Sequence, residues 1–280
     1  VVCIFLPGMG GAKALCHTLI GKVNPSGKLP VTFPLHYEDS SAYLNFPGDG
    51  YEVNYGEGIY VGYRYFEKKK CKTLYTFGFG LSYTTFSLGE IKDIKVDNSV
   101  EVSFGISIKN EGEREGAQVI LVYVSDPYST LSKPVKDLKA FQKVFLLPGE
   151  EKEVLFQLSP SDFASYDSDL HQFTVEEGYY DILVGYSSDE KDIVRKERIY
   201  LDVESPYSYG IQSSIKTLYE NACLQKALQQ LWKENGWDWQ IILSNYQYTS
   251  NRSLYEVLPN KDPKGSNLFL DQLKKVKKAM

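Results

Sequence analysis

Long apolar runs, metal-ligand spacings and an excess of positive charge are all missing from this sequence. No stretch approaches the roughly eighteen apolar residues of a membrane-crossing helix, so the reading contains no helical span. Lysine and arginine number 31 against 36 acidic residues, a net charge of −5, which leaves no global attraction to nucleic acid or anionic membrane. Cysteine is scarce. Cys3, Cys16, Cys71 and Cys223 have neither metal spacing nor the density of a disulfide framework, and read as buried free thiols. The histidines His17, His36 and His171 lack ligand spacing and are assigned structural or exposed roles.

Tyrosine, by contrast, is abundant, at 22 residues. It is densest in YLNFPGDGYEVNYGEGIYVGYRYF (43–66), where Glu57 lies between Gly56 and Gly58. A carboxylate flanked by glycines leaves room for a ligand and suits acid–base work. The plainer reading is a turn carboxylate that meets Arg64 or backbone N–H groups, with the aromatics filling a seam between domains.

The chain opens on VVCIF, a continuous apolar run stopped by Pro7-Gly8, without an initiator methionine or charged leader. Such a run reads as a strand buried on both faces, as in a parallel sheet. A helix over roughly Ala12–Ile20 follows, on the spacing of Leu15, Leu19 and Ile20, with Gly21 as its stop. One strand and one helix form a single unit of an α/β layer. No partner strands of that type follow, so the expectation is the end of a domain that begins upstream. NPSGKLP (24–30) is a turn. VTFP and IYVGYRYF read as short strands or extended segments, the latter with Tyr60, Gly62, Arg64 and Phe66 on one side and Ile59, Val61, Tyr63 and Tyr65 on the other.

From 86 to 203 the pattern is β. SVEVSFGISIK alternates through Val100, Val102, Phe104, Ile106 and Ile108; AQVILVYVSD is apolar on both faces; KAFQKVFLLPGE, EVLFQLSP, YYDILVGY and RIYLDV follow. Strands separated by turns, with no helix among them, predict a two-sheet antiparallel sandwich. Asp162, Asp167 and Asp169 in SPSDFASYDSD lack the glycine and terminal glutamate of a helix–loop–helix calcium site, and no metal is assigned to them.

Residues 204–280 change character. SIKTLYENACLQKALQQLWKEN reads as an amphipathic helix capped by Ser213 or Ser214, and LFLDQLKKVKKAM as a short helix with Lys274, Lys275, Lys277 and Lys278 on a solvated end. Asn251-Arg252-Ser253 is a glycosylation sequon, which matters only in a secreted chain.

GKVNPSGKLPVTFP (21–34), AYLNFPG (42–48), YGEGIYVGYRYF (55–66), FGFGLSYTTF (77–86), KPVKDLKAFQKV and LLPGE together resemble glycoside hydrolase family 3, the β-glucosidase family, from residue 1 to about residue 203. The resemblance implies a mixed fold: residues 1–85 as the last part of an α/β sandwich domain and its linker, 86–203 as a fibronectin type III-like sandwich, and 204–280 as a helical extension. It implies hydrolysis of terminal β-linked sugars by a retaining mechanism, with a β-glucoside or oligosaccharide substrate held mainly by a barrel upstream, and no cofactor. Nucleophile and acid/base would both lie upstream, so no catalytic residue is assigned here and the chain alone is expected to be inactive. Tyr55, Glu57, Tyr63 and Arg64 become candidates for the rim of the sugar entrance. Where the family commonly has acids after the opening strand, this chain has Gly10 and His17, in PGMGGA and CH. An extracellular or lumenal location is the family's tendency. The alternative classes are a non-catalytic carbohydrate-binding module, which needs a row of exposed aromatics on one sheet face, and an inactive truncated relic.

Overall fold

The computed structural model describes residues 2–129, 131–168, 171–203, 215–220, 222–238, 240, 254–257, 271, 272 and 275. Two compact units emerge. The first comprises Val1–Ser125, Lys133–Phe163 and Asp181–Arg198, and the second Asp126–Ser132, Ala164–Tyr180 and Ile199–Met280.

The first unit starts with an exposed segment. Residues 2–6 form no strand, and Val2, Ile4, Phe5 and Leu6 lie exposed. The expected buried strand is absent because a strand exists only through a partner's hydrogen bonds, and none of the described strands pairs with this segment. Helix α1 (Gly11–Leu19) follows at nearly the expected place, with Gly21 just past its end at φ 72°. Cys3 and Cys16 are free, but exposed rather than buried, because the elements around them offer no second layer; Cys71 is free and half-buried. Strand β1 (Phe33–Pro34) pairs with β2 (Thr73–Tyr75) in a two-residue ladder. Between them lies helix α2 (Tyr63–Lys69). This corrects the extended reading of IYVGYRYF: its aromatic composition favours strand, but Gly62 turns the chain at φ 59°, ψ −136° and a helical turn begins there.

Most of a sandwich of two mainly antiparallel sheets falls in this unit; residues 178–180 and 199–201, at the ends of two of its strands, are counted with the second. One has the order β3 (Phe86–Val96), β4 (Val102–Asn110), β7 (Glu151–Leu158). The other has the order β11 (Ile193–Leu201), β10 (Gly178–Gly185), β5 (Gly116–Ser125), β6 (Asp137–Leu146). The β6–β7 turn at Pro148-Gly149 carries the chain from one sheet to the other. Val102, Phe104, Ile106 and Ile108 of β4 are buried, as are Val154, Phe156 and Leu158 of β7 and Ile120 and Val122 of β5. The alternation in β4 and β7 therefore does place one face inward. Val100 departs from it, since it sits before β4 with φ 66°. Phe104 and Phe156, which are register partners, stack at 5.5 Å. Asn110, wholly buried, ties the layers together: its Nδ2 donates to Leu146 O at 3.3 Å and its Oδ1 accepts from Thr84 Oγ1 at 2.7 Å.

In the second unit, the expected polar loop SPSDFASYDSD contains strand β8 (Ser165–Asp167), which pairs with β9 (Gln172–Thr174); the helical turn α3 (Pro160–Phe163) just before it belongs to the first unit. Asp162 Oδ2 accepts from Ser159 N at 2.7 Å, as a local cap does. Helices α4 (Ile215–Glu220) and α5 (Ala222–Glu234) divide the long helix read from sequence, and α6 spans Leu254–Val257. Ile215, Leu218, Leu224, Leu228, Leu231 and Trp232 are buried at the expected spacing. The caps Ser213 and Ser214, the sequon Asn251, Asp169 and, Lys275 apart, the terminal lysines lie outside the described residues.

Candidate functional site

Helix α2 holds two of the four rim candidates, and it is clamped to the start of β6 by three successive contacts. Tyr63 Oη accepts a hydrogen bond from Leu138 N at 2.8 Å, and its ring meets Tyr123 edge-on at 5.8 Å and Phe77 at 5.2 Å. Burial pushes the Tyr63 phenol above its ordinary range, partly offset by the Leu138 N–H. Arg64 Nε donates to Asp137 Oδ1 at 2.5 Å. One turn on, Glu67 Oε1 accepts from Lys136 Nζ at 2.6 Å, and the same ammonium donates to Ser188 O at 3.0 Å and lies 5.5 Å from the Tyr123 ring centroid. Burial pushes the Glu67 carboxyl up despite the Lys136 bond, and Glu67 Oε2 has no partner among the described residues.

The sequence offers Glu57 either Arg64 or backbone N–H groups as its partner. The structure gives Arg64 to Asp137, because the helical turn carries Arg64 toward β6. Lys136, Asp137 and Glu67 were not singled out at all. KPVKDLK served only as a family marker, and a contact between residues 69 apart leaves no local signal.

Glu57 sits in a turn, where its carbonyl accepts from Tyr60 N at 3.0 Å. Gly56 runs against Asn45, whose Nδ2 would lie 2.9 Å from an added Cβ. Glu57 Oε2 is buried with no hydrogen-bond partner among the described residues. Tyr55 stands out into solvent, 82% exposed. Two candidates are thus built into the seam between α2 and β6, and two lie in a turn beside it. Around that turn Leu44, Phe46, Tyr51, Val53, Ile59 and Val61 are also exposed, a concentration of apolar surface that a self-sufficient domain buries. Among the described residues no group of three or more histidine, cysteine or acidic side chains is placed to hold a metal. No helix among them is long and apolar enough to cross a membrane.

The family described as "Glycosyl hydrolase family 3 C-terminal domain" matches residues 1–83, and "Fibronectin type III-like domain" matches 118–188. The chain is 39% identical over 247 residues to "Thermostable beta-glucosidase B" of Acetivibrio thermocellus, covering 86% of this chain and 32% of that protein. It is 43% identical over 194 residues to "Beta-glucosidase" of Kluyveromyces marxianus, covering 68% and 23%. Among solved structures, a family 3 β-glucosidase of Bifidobacterium adolescentis superposes with a TM-score of 0.68 at 32% identity, over 78% of this chain and 32% of that one. The chain therefore spans about a third or less of the length of these relatives. The Acetivibrio match is too long to stop near residue 203: at 86% of the chain it has to take in α5, so the likeness reaches further than the motifs alone indicated.

Proposed function

The chain belongs to glycoside hydrolase family 3, whose C-terminal portion it matches, and we propose that it supports and rims the sugar site of a β-glucosidase whose catalytic carboxylates lie upstream of it, the nucleophile in a barrel and the acid/base in the earlier part of the α/β domain. The whole protein would hydrolyse terminal β-linked sugars with retention of configuration, and this portion would contribute position rather than chemistry. Two carboxylates about 5–5.5 Å apart are needed for that reaction. Among the rim candidates Glu57 is the one carboxylate, so no such pair is assigned to this chain.

The observation that carries this reading is the division of the rim candidates. Tyr63 and Arg64 are held by Leu138 and Asp137, which makes α2 a rigid bracket on the sandwich. Tyr55 and Glu57 then follow in the adjoining turn, the phenol of Tyr55 in solvent and the Glu57 carboxylate partly buried, with Oε2 lacking a hydrogen-bond partner among the described residues. Domain limits of 1–85, 86–203 and 204–280 fit the same plan, with 1–85 completing an α/β layer and 86–203 bracing it.

A chimera tests the proposal. This chain replaces the matching third of the Acetivibrio β-glucosidase, and aryl β-glucoside hydrolysis is followed. Expected are retained turnover in the chimera, none in the isolated chain, and a raised KM with little change in kcat for Glu57→Gln in the chimera. Turnover by the isolated chain that disappears with Glu57→Gln would overturn it, as would a folded chimera without activity.

A further inference from the structure

Outside the rim, a cleft of about 470 Å³ opens between the loop that follows α1 and the start of β5, a size within the range of small-molecule sites. Its walls are set by close packing. Gly116 has no room for a side chain, since an added Cβ would stand 2.6 Å from Asn24 Nδ2. Asn24 bridges the two sides: Nδ2 donates to Glu115 O at 2.9 Å, and Oδ1 accepts from Tyr83 N at 2.8 Å and Ser82 Oγ at 3.0 Å. The loop and the strand are thereby fixed to each other, so the cleft is pre-formed.

Phe145 supplies one side. It lies on the outer face of β6, directly opposite Ala117 in the register, and is 51% exposed. The small neighbour leaves the ring face open. Arg114 supplies planar polar groups. One Nη1 hydrogen bond goes to Gly21 O at 3.3 Å and the guanidinium lies 6.0 Å from the Tyr83 ring centroid, which orients it and leaves most of its five N–H donors without a partner among the described residues. Glu115 and Lys22 also line the cleft, and their charged groups have no partner among the described residues either.

We propose that this cleft is a second carbohydrate site, distinct from the rim at Tyr55 and Glu57, that takes a neutral pyranose oligomer. An exposed aromatic face, a planar forked donor and a carboxylate acceptor match the two features of a pyranose: an apolar C–H face and adjacent hydroxyls that both donate and accept. The competing ligand classes fit less well. An anion would meet Glu115 as well as the cations, and an apolar molecule would strip water from three charged groups without replacing its hydrogen bonds. The choice of β-linked glucose as the first probe rests on the β-glucosidase reading, while the site itself does not.

Isothermal titration of the full chain with cellotetraose, laminaritetraose, maltotetraose and inorganic phosphate tests the assignment. Binding of at least one tetrasaccharide is expected, weakened about tenfold by Phe145→Ala and kept by Phe145→Tyr. Phe141→Ala, on the same strand and face, should leave it unchanged. Binding of maltotetraose alone would support the cleft while counting against β-linked glucose as its ligand. Heat with phosphate only, no heat with any tetrasaccharide, or equal losses from Phe141→Ala and Phe145→Ala would overturn the proposal. Should circular dichroism show Phe145→Ala to be misfolded, Arg114→Gln decides in its place, with weakened binding expected and unchanged binding overturning the cleft. An inactive chimera with intact tetrasaccharide binding would reject the rim reading and leave this one standing.

Discussion

Residues 2–61 and strands β3 to β7 belong to the same compact unit, yet they use their apolar side chains in opposite ways. In the sandwich, Val102, Ile106, Ile108, Ile120 and Val122 are sealed between sheets and their backbones are paired strand to strand. In the opening segment, Leu6, Met9, Leu44 and Tyr51 are at least 90% exposed, and the only ladder is the two-residue pairing of Phe33 and Pro34. The sandwich is stabilised by its own burial. The opening segment is held by a few brackets, chiefly α2 on β6, and leaves its apolar groups in water. Local stability should therefore differ steeply across one unit, and substitutions should sort accordingly.

The largest effect is expected in the sandwich core. Ile106→Ala, in β4, should lower the stability of the chain by about 4 kcal/mol, from lost transfer free energy and the cavity left behind. A urea midpoint shift at constant slope measures it. A loss below about 1 kcal/mol would mean that the sandwich is not the stable half of the comparison.

Next comes the bracket. Lys136→Met removes the cation that faces Glu67 and strands a buried carboxylate, at a cost of about 3 kcal/mol. In a Glu67→Leu background the same change should cost far less, because no charge is left behind. A double-mutant cycle by urea denaturation gives the coupling directly. Additive losses would remove the bracket from the account.

How much of this was readable beforehand follows the same division. Strands β4 and β7 were legible because each buries one face, so period-2 alternation appears in the letters. Strand β3 was not recognised: its register shifts between Leu88 and Ile91, and again between Lys92 and Lys95, break the period. Helix α2 was misread because Tyr, Val and Ile favour strands, whereas contacts to Leu138, Asp137 and Lys136 decide the local structure from far along the chain. Of the rim set, residue types were visible in the sequence but not their partners. Arg64 looks the same on paper whether it meets Glu57 or Asp137.

The acid limb of the sandwich's stability should be set partly by Asp181 on β10. Burial pushes its carboxyl up, but Arg198 at 2.7 Å and Lys196 at 2.8 Å outweigh that and hold it below the ordinary 3.8. A depressed folded-state value contributes stability above the ordinary value and loses it as pH falls through the depressed one. The urea midpoint should thus drop below about pH 4, and Asp181→Asn should flatten that drop. An unchanged profile would rule out this triad as a source of acid sensitivity.

The smallest effect is expected in the opening segment, and its smallness is the point. Leu44 is 90% exposed, so Leu44→Ser should change the stability of the chain by less than about 0.5 kcal/mol. In the chimera with the upstream part of the Acetivibrio enzyme the same substitution should cost more, since that surface would then be covered and its apolar area removed from water. Comparing urea midpoints of Leu44→Ser in both settings isolates what the covering contributes. Equal, negligible shifts in both would mean that Leu44 stays in water in the longer protein, and that the exposed apolar groups of residues 2–61 are ordinary surface rather than half of an interface.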